Sequence, residues 1–439
     1  MRRLLLTLTL SLLPAIAADD NLLIRGATVH PVSGPEIKDG SVLVRDGKIV
    51  GIGHNLAAPH GTRIIEAKGM HVYPGMINSA TELGLDEISS IRESVDTGEL
   101  GDFNPQLRAE IAVNPSSEHI PVTRANGITT AIVMPMGARG GEGRGPMGGA
   151  KPSIINGQAA LVHLDGWTWE EMDVKKSAAM AMRFPIIPSP QMRFGDGPPP
   201  TSRYNYAEAK KAYEAQLRDL REFFEESRRY QKAKAAKLTG FKPDLKYEAM
   251  LPVLEGKTPL VVVANREHAI LDAVKFADDQ KVRLVIANPR ELGKAGAQMK
   301  ARNVSAILGP TLAFPEHEDD PYDAAYTLPN EFYKAGIKFA FGSFDNEFAR
   351  NVPYQAATAA AFGLPHEEAL KSVTINAAQI WGVGDKIGSI EEGKWADLIL
   401  TDGDPLEAKT QIKQIFIKGK NVDLDNKQKR LYEKYLGRP

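Results

Sequence analysis

The sequence contains no cysteine. No disulfide can form, whatever the redox state of its compartment, and thiol nucleophiles and thiolate metal ligands are excluded. Long apolar runs are missing too. The most apolar stretch, 4–13, falls well short of the ~20 residues that span a bilayer, and no later stretch exceeds it. An excess of either charge is lacking. Lys+Arg number 54 against 55 Asp+Glu, a net charge of -1, so the chain as a whole gives no electrostatic reason to expect nucleic acid or an anionic membrane as a partner. There is no His-Glu-x-x-His, no Gly-x-Ser-x-Gly and no internal repeat of 20–50 residues. Residues 137–149 hold seven glycines but no Gly-Lys-Ser/Thr ending, so they read as a loop rather than a phosphate cradle.

What is present describes an ordinary globular chain of 439 residues, 43% apolar and 25% charged, long enough for ~2–3 domains. The amino terminus carries an export pattern. Arg2-Arg3 are followed by the apolar stretch and by Ala15-Ile16-Ala17, an A-x-A cleavage site. The expectation is a signal peptide over 1–17, a mature chain from Ala18, and a periplasmic or secreted location.

Residues 21–53 alternate apolar and polar side chains, with Asp46-Gly47 as a hairpin turn, and Ile64-Ile65-Glu66 continues the β pattern. Tyr73-Pro74-Gly75-Met76-Ile77-Asn78-Ser79-Ala80-Thr81-Glu82 reads as a buried strand emerging at a functional face. Gly127 to Pro135 holds a second buried β-branched run, suited to a sheet covered on both faces. Residues 94–121 are polar and read as loop and helix over the strand ends. Residues 154–169 look like a hairpin inserted near them. Residues 206–238 place Leu217, Leu220, Phe223 and Phe224 at helical steps, giving one helix or a helical pair. Its charged side reads as a solvated face, a partner-binding helix being the alternative. Strands at Leu260-Val261-Val262-Val263, Arg283-Leu284-Val285-Ile286, 304–308 and Ile337 to Gly342 then alternate with helices, the pattern of a (β/α) barrel. A strand near 179–184 is weaker, and the position of the fourth barrel strand is not legible.

Two terminal motifs sharpen this. Thr374-Ile375-Asn376-Ala377-Ala378 is followed by Gly388-Ser389-Ile390-Glu391-Glu392-Gly393-Lys394-Trp395-Ala396-Asp397-Leu398. With the Pro74-Gly75 strand, they resemble the amidohydrolase superfamily over about 21–422. Ala349-Arg350-Asn351 and 362–370 are most similar to imidazolonepropionase-like and related exported amidohydrolases. The resemblance implies a TIM-like (β/α)8 barrel over 73–388, with a helical insertion near 205–238. It also implies a small composite β-sandwich from 18–72 and 389–425, and a nominal hydrolase of C–N bonds in small or cyclic amides.

The resemblance also places the site at the carboxyl ends of the barrel strands, where the family holds zinc or another divalent metal with histidines and carboxylates. By motif, the two first-strand histidines correspond to Ala80 and Glu82. Val263 takes a ligand position with Asn265 just after it, and Asn288 replaces a further histidine. The last-strand aspartate position falls on Phe344, one residue before Asp345. No metal ligand set is expected from these residues. Glu82 and Asp345 are the candidate catalytic groups; Asn265, Asn288, Arg350 and Asn351 are candidate substrate-binding residues. The alternative is an inactive small-molecule-binding relative, or the partner subunit of an active paralogue, in a homo- or hetero-oligomer. Of nine histidines none has ligand spacing. His30, His54, His60 and His71 read as surface or packing residues, His268 as a helix start, and His119, His317 and His366 as loop residues. His163 beside Asp165 and Trp167 is either packing or an acid–base pair near the mouth.

Overall fold

The computed structural model describes residues 21–137, 153–187, 205–237, 240–315 and 320–438. The expected export segment 1–17, residues 138–149 of the glycine-rich loop, and His317 lie outside them. The chain enters through β1 (Leu22–Val29), β2 (Ile37–Arg45), β3 (Lys48–Gly53), β4 (Arg63–Glu66) and β5 (His71–Pro74). The barrel strands follow: β6 (Met76–Thr81), β7 (Ile128–Val133), β8 (Ile155–His163), β9 (Asp173–Arg183), β10 (Leu260–Val263), β11 (Leu284–Ala287), β12 (Ser305–Leu308) and β13 (Phe339–Phe341). Last come β14 (Leu398–Thr401), β15 (Ile412–Ile417) and β16 (Lys420–Val422). The helices are α1 (Ala109–Ala112), α2 (His119–Arg124), α3 (Trp169–Met172), α4 (Tyr206–Ala235), α5 (Leu245–Leu254) and α6 (Glu267–Gln280). They continue with α7 (Ala295–Ala301), α8 (Ala324–Lys334), α9 (Val352–Ala361), α10 (His366–Ser372), α11 (Ile375–Ile380) and α12 (Lys427–Leu436).

One sheet runs β16-β15-β14-β5-β1-β2-β3, with β4 beside β1, so both ends of the chain build it. Its buried face packs Leu22, Ile24, Val42, Val44, Val72, Leu398 and Phe416 together. A second sheet of eight strands runs from β6 to β13 in chain order. It closes into a barrel where the Phe344 N–H donates to the Ala80 carbonyl at 2.9 Å. Gly342 makes that seam: a Cβ there would stand 2.8 Å from the Ala80 Cβ and 2.9 Å from its nitrogen. The eight-stranded barrel beside a second β layer is the architecture expected from the motifs.

One strand departs from it. β8 is antiparallel to both β7 and β9, whereas the other neighbouring pairs are parallel. The expectation of an inserted hairpin over 154–169 is therefore corrected. Ile155–His163 is a barrel stave, and all nine of its residues are buried. Such a run satisfies two covered faces and carries no mark of direction. The weaker strand near 179–184 is β9, eleven residues long, and it fills the fourth place of the barrel, which the sequence pattern does not locate.

Inside the barrel, Ile77, Ala80, Ile132, Ala159, Leu161, Ala179, Ala181, Val261, Val285, Ala287, Ile307 and Ala340 fill the lumen. Helix α11 and its exit plug one end with Ala377, Ala378, Ile380 and Trp381. The outer helices cover the other faces of the strands. α4 is a single 30-residue helix capped by Asn205, whose side chain accepts from the Ala207 and Glu208 amides. It buries Leu220, Phe223 and Phe224, with Phe224 edge-on to Phe276 of α6 at 5.2 Å.

Candidate functional site at the barrel mouth

Seven strands deliver their carboxyl ends to the mouth, and β8 delivers its amino end. Ala80, at the end of β6, is fully buried in the lumen cluster, and Val263 and Phe344 pack against that cluster. Phe344 holds φ at 53°, a left-handed conformation costly for an aromatic residue. Among the described residues, no three His, Cys, Asp or Glu side chains gather in a way that could hold a metal ion.

Polar groups ring this apolar floor. Glu82 is completely buried, and its charge acts on Arg183 at the end of β9. Arg183 continues the alternation of Ala179 and Ala181, so it emerges on the lumen side. Its guanidinium also donates to the Met136 carbonyl beyond β7 at 3.3 Å. Asn265 and Asn288 follow adjacent strands, β10 and β11. Their side-chain oxygens are buried and accept no hydrogen bond from the protein. Asn288 sits at φ 53°, and its side-chain oxygen lies where a Cβ on Gly309 would fall, 2.0 Å away. The Asn156 side-chain oxygen, at the start of β8, is likewise buried without a donor.

The other sequence candidates lie elsewhere or have other partners. The Asp345 carboxylate accepts the Phe348 N–H at 2.8 Å, just ahead of the short 3-10 turn at Ala349–Asn351. Its carbonyl accepts from the Thr81 hydroxyl at 2.6 Å and the Ser343 hydroxyl at 2.8 Å. The Arg350 guanidinium bonds the Glu347 carbonyl and lies over the Phe348 ring, while Asn126 donates to the Arg350 carbonyl at 2.9 Å. Asn351 closes the same turn, ahead of α9. Arg183 and Asn156 were missed. Arg183 was legible from the period-two spacing of Ala179, Ala181 and Arg183. Asn156 was hidden by the apolar run around it.

The other end of the barrel holds a different polar group. His163 lies at the floor, because β8 runs downward, and not near the mouth. Its Nε2 is 2.8 Å from the Asp397 carboxylate, with both side chains almost fully buried. Asp165 turns away to Arg124 and Lys420, each at 3.4 Å, so no acid–base pair forms between His163 and Asp165. Asp397 also accepts the Lys418 N–H at 2.8 Å, and its carbonyl accepts the Gly75 N–H at 2.8 Å. One residue of the terminal motif thus joins a barrel stave, the start of β6 and the last hairpin.

The family profile described as "Amidohydrolase family" matches residues 329–422. Amidohydrolase tasK of Hapsidospora irregularis is 24% identical over 90% of the chain, which covers 42% of that relative. An imidazolonepropionase of Porphyromonas gingivalis is 37% identical over 22% of the chain and 23% of its own length. The chain thus spans less than half the length of these curated relatives. A crystal structure of an amidohydrolase from Thermotoga maritima MSB8 superimposes with a TM-score of 0.76, at 25% identity, over 92% of the chain and 99% of that structure. A prolidase complexed with N-methylphosphonate-L-proline has the same fold at a TM-score of 0.55 and 16% identity, covering 92% of the chain and 99% of its own.

Proposed function

The chain belongs to the amidohydrolase superfamily, and we propose that it is an exported member whose barrel mouth binds a small organic molecule without a hydrolytic metal centre. One observation carries this reading. Ala80, Val263 and Phe344 present a methyl, an isopropyl and a phenyl group at positions where the family motif calls for donor atoms, and all three join the lumen packing. Such groups do not fit zinc or a similar ion, which takes imidazole, thiolate or carboxylate. A hard cation would want about six oxygens.

What remains suits recognition. Buried acceptors are ordinarily satisfied, so the amide oxygens of Asn265 and Asn288 favour a ligand that donates N–H groups to them. Arg183 supplies a cation for an anionic group on the same ligand. Glu82 balances that cation from the neighbouring side of the lumen. In the nominal C–N hydrolase reading, Glu82 would activate water and Asp345 would act as base. The hydrogen bond from the Phe348 N–H to Asp345 weighs against it. A second reading makes the chain the partner subunit of an active paralogue. The tasK relative supports it, because there the similar region is part of a much longer chain.

The test uses the chain purified from its native exporting host. The mature amino terminus should begin at Ala18. After incubation with zinc or manganese the protein should hold substoichiometric metal and gain no hydrolysis of cyclic amides. A small carboxylate bearing N–H donors should raise its melting temperature, and Arg183→Ala should abolish that rise. Stoichiometric zinc together with turnover abolished by Glu82→Gln would overturn the proposal.

A further inference from the structure

Helix α12 differs from every longer helix of the fold in burying none of its residues. Leu431, Tyr432, Tyr435 and Leu436 are 38%, 67%, 43% and 68% exposed. At 100° per residue these four side chains fall within an arc of about 140°. Lys427, Lys429, Arg430 and Lys434 occupy the remaining surface, Arg438 lies just past the helix end, and Glu433 is its one acidic residue. The first turn is moored. Asn426 accepts the Lys429 N–H at 3.0 Å, and Arg430 pairs with Asp425 at 2.7 Å and Glu118 at 3.8 Å. The apolar arc is left open.

A ten-residue helix without a packed face lies below the ~12–15 residues that hold a helix in water. By contrast, α4 sets its apolar stripe against the barrel. We propose that α12 lies in the surface of an anionic lipid bilayer, with its apolar arc at the acyl boundary and its cations among the headgroups. Charge selects this occupant. A second copy would also cover Leu431 and Leu436, but it would bring Lys427, Lys429, Lys434 and Arg438 against the same four cations. An anionic surface meets these four with opposite charge, Arg430 being held by Asp425 and Glu118. The net charge of -1 is no obstacle, because a membrane senses charge within about a Debye length, ~8–10 Å. Lys434 and Arg438 lie over the Tyr435 ring at 5.6 Å and 4.2 Å, which keeps both cations beside a tyrosine of the arc.

The test is co-sedimentation of the full chain with phosphatidylcholine vesicles, with and without phosphatidylglycerol. Binding should be at least about tenfold tighter with phosphatidylglycerol, and most of that gain should vanish at ~0.5 M salt. The double variant Leu431→Ser with Leu436→Ser changes only exposed side chains, so its melting temperature should match the parent while its vesicle binding drops about tenfold or more. Equal affinity for both vesicle types, or unchanged binding by the double variant, would overturn the proposal. So would a concentration-dependent dimer that the same variant abolishes, which would make a second copy the occupant.

Discussion

The two ends of the barrel have opposite characters. At the floor, His163, Asp397, Lys418 and Gly75 form a closed set of hydrogen bonds around a plug of Ala377, Ala378 and Trp381. At the mouth, Ala80, Val263 and Phe344 make an apolar surface, and the neighbouring asparagine oxygens lack protein donors. The floor carries the motifs by which the family is recognised; the mouth is where a family member's chemistry would be. Asp397 of the terminal motif thus has a structural role at the floor, through bonds that involve no group of the mouth.

Refitting the mouth tests this contrast most severely. Combining Ala80→His, Glu82→His, Asn288→His and Phe344→Asp should tighten zinc binding by roughly three to four orders of magnitude, a fraction of the ~10–16 kcal/mol available to a full zinc site. Chelator-competition titration measures it, and no gain would mean that these positions do not face one point. At the floor, Asp397→Ala strands a buried imidazole and the Lys418 N–H, and should cost about 3–5 kcal/mol in denaturant unfolding. If that loss were near zero, the floor would not be the rigid end. On the seam between the first and last staves, Gly342→Ala forces the Ala80 backbone to move and should cost about 1–3 kcal/mol by the same measurement.

The smallest effect is expected at the junction of sandwich and barrel. His30 Nε2 is 3.0 Å from His71 Nδ1, the His30 ring stacks on Tyr73 at 4.1 Å, and Glu36, Asp404 and His366 are the surrounding ionisable groups. Burial, and after it the neighbouring His71, hold the His30 imidazole below its ordinary value of 6.5. It stays neutral in the folded chain at pH values where the unfolded chain already binds a proton. Stability should therefore decline as pH falls below about 6.5, and His30→Gln should flatten that decline in melting curves taken between pH 7 and pH 5.

Much of this was legible in the sequence, for identifiable reasons. Period-two spacing and Asp46-Gly47 marked β2 and β3, and the steps of Leu220, Phe223 and Phe224 marked α4. The glycines and Asp397 of the terminal motif marked the return to the sandwich. The direction of β8 was not legible, because a wholly buried run reads alike in either orientation. That one reversal moved His163 from the mouth to the floor. It also hid the true partner of His163, since Asp397 is 234 residues away while Asp165 is two. Asp345 looked like a base because the hydrogen bond it accepts from the Phe348 amide leaves no trace in residue type.

The reversed stave also bears on how the barrel is assembled. Parallel neighbours must wait for a helix to carry the chain back, which makes their pairing a distant event along the polypeptide. β8 and β9 are joined by only Leu164–Met172, including the single turn of α3, so this pair closes over a short loop. The barrel thus has, among its described staves, a ribbon that can zip early from local contacts, and the remaining staves have a ready template on which to dock.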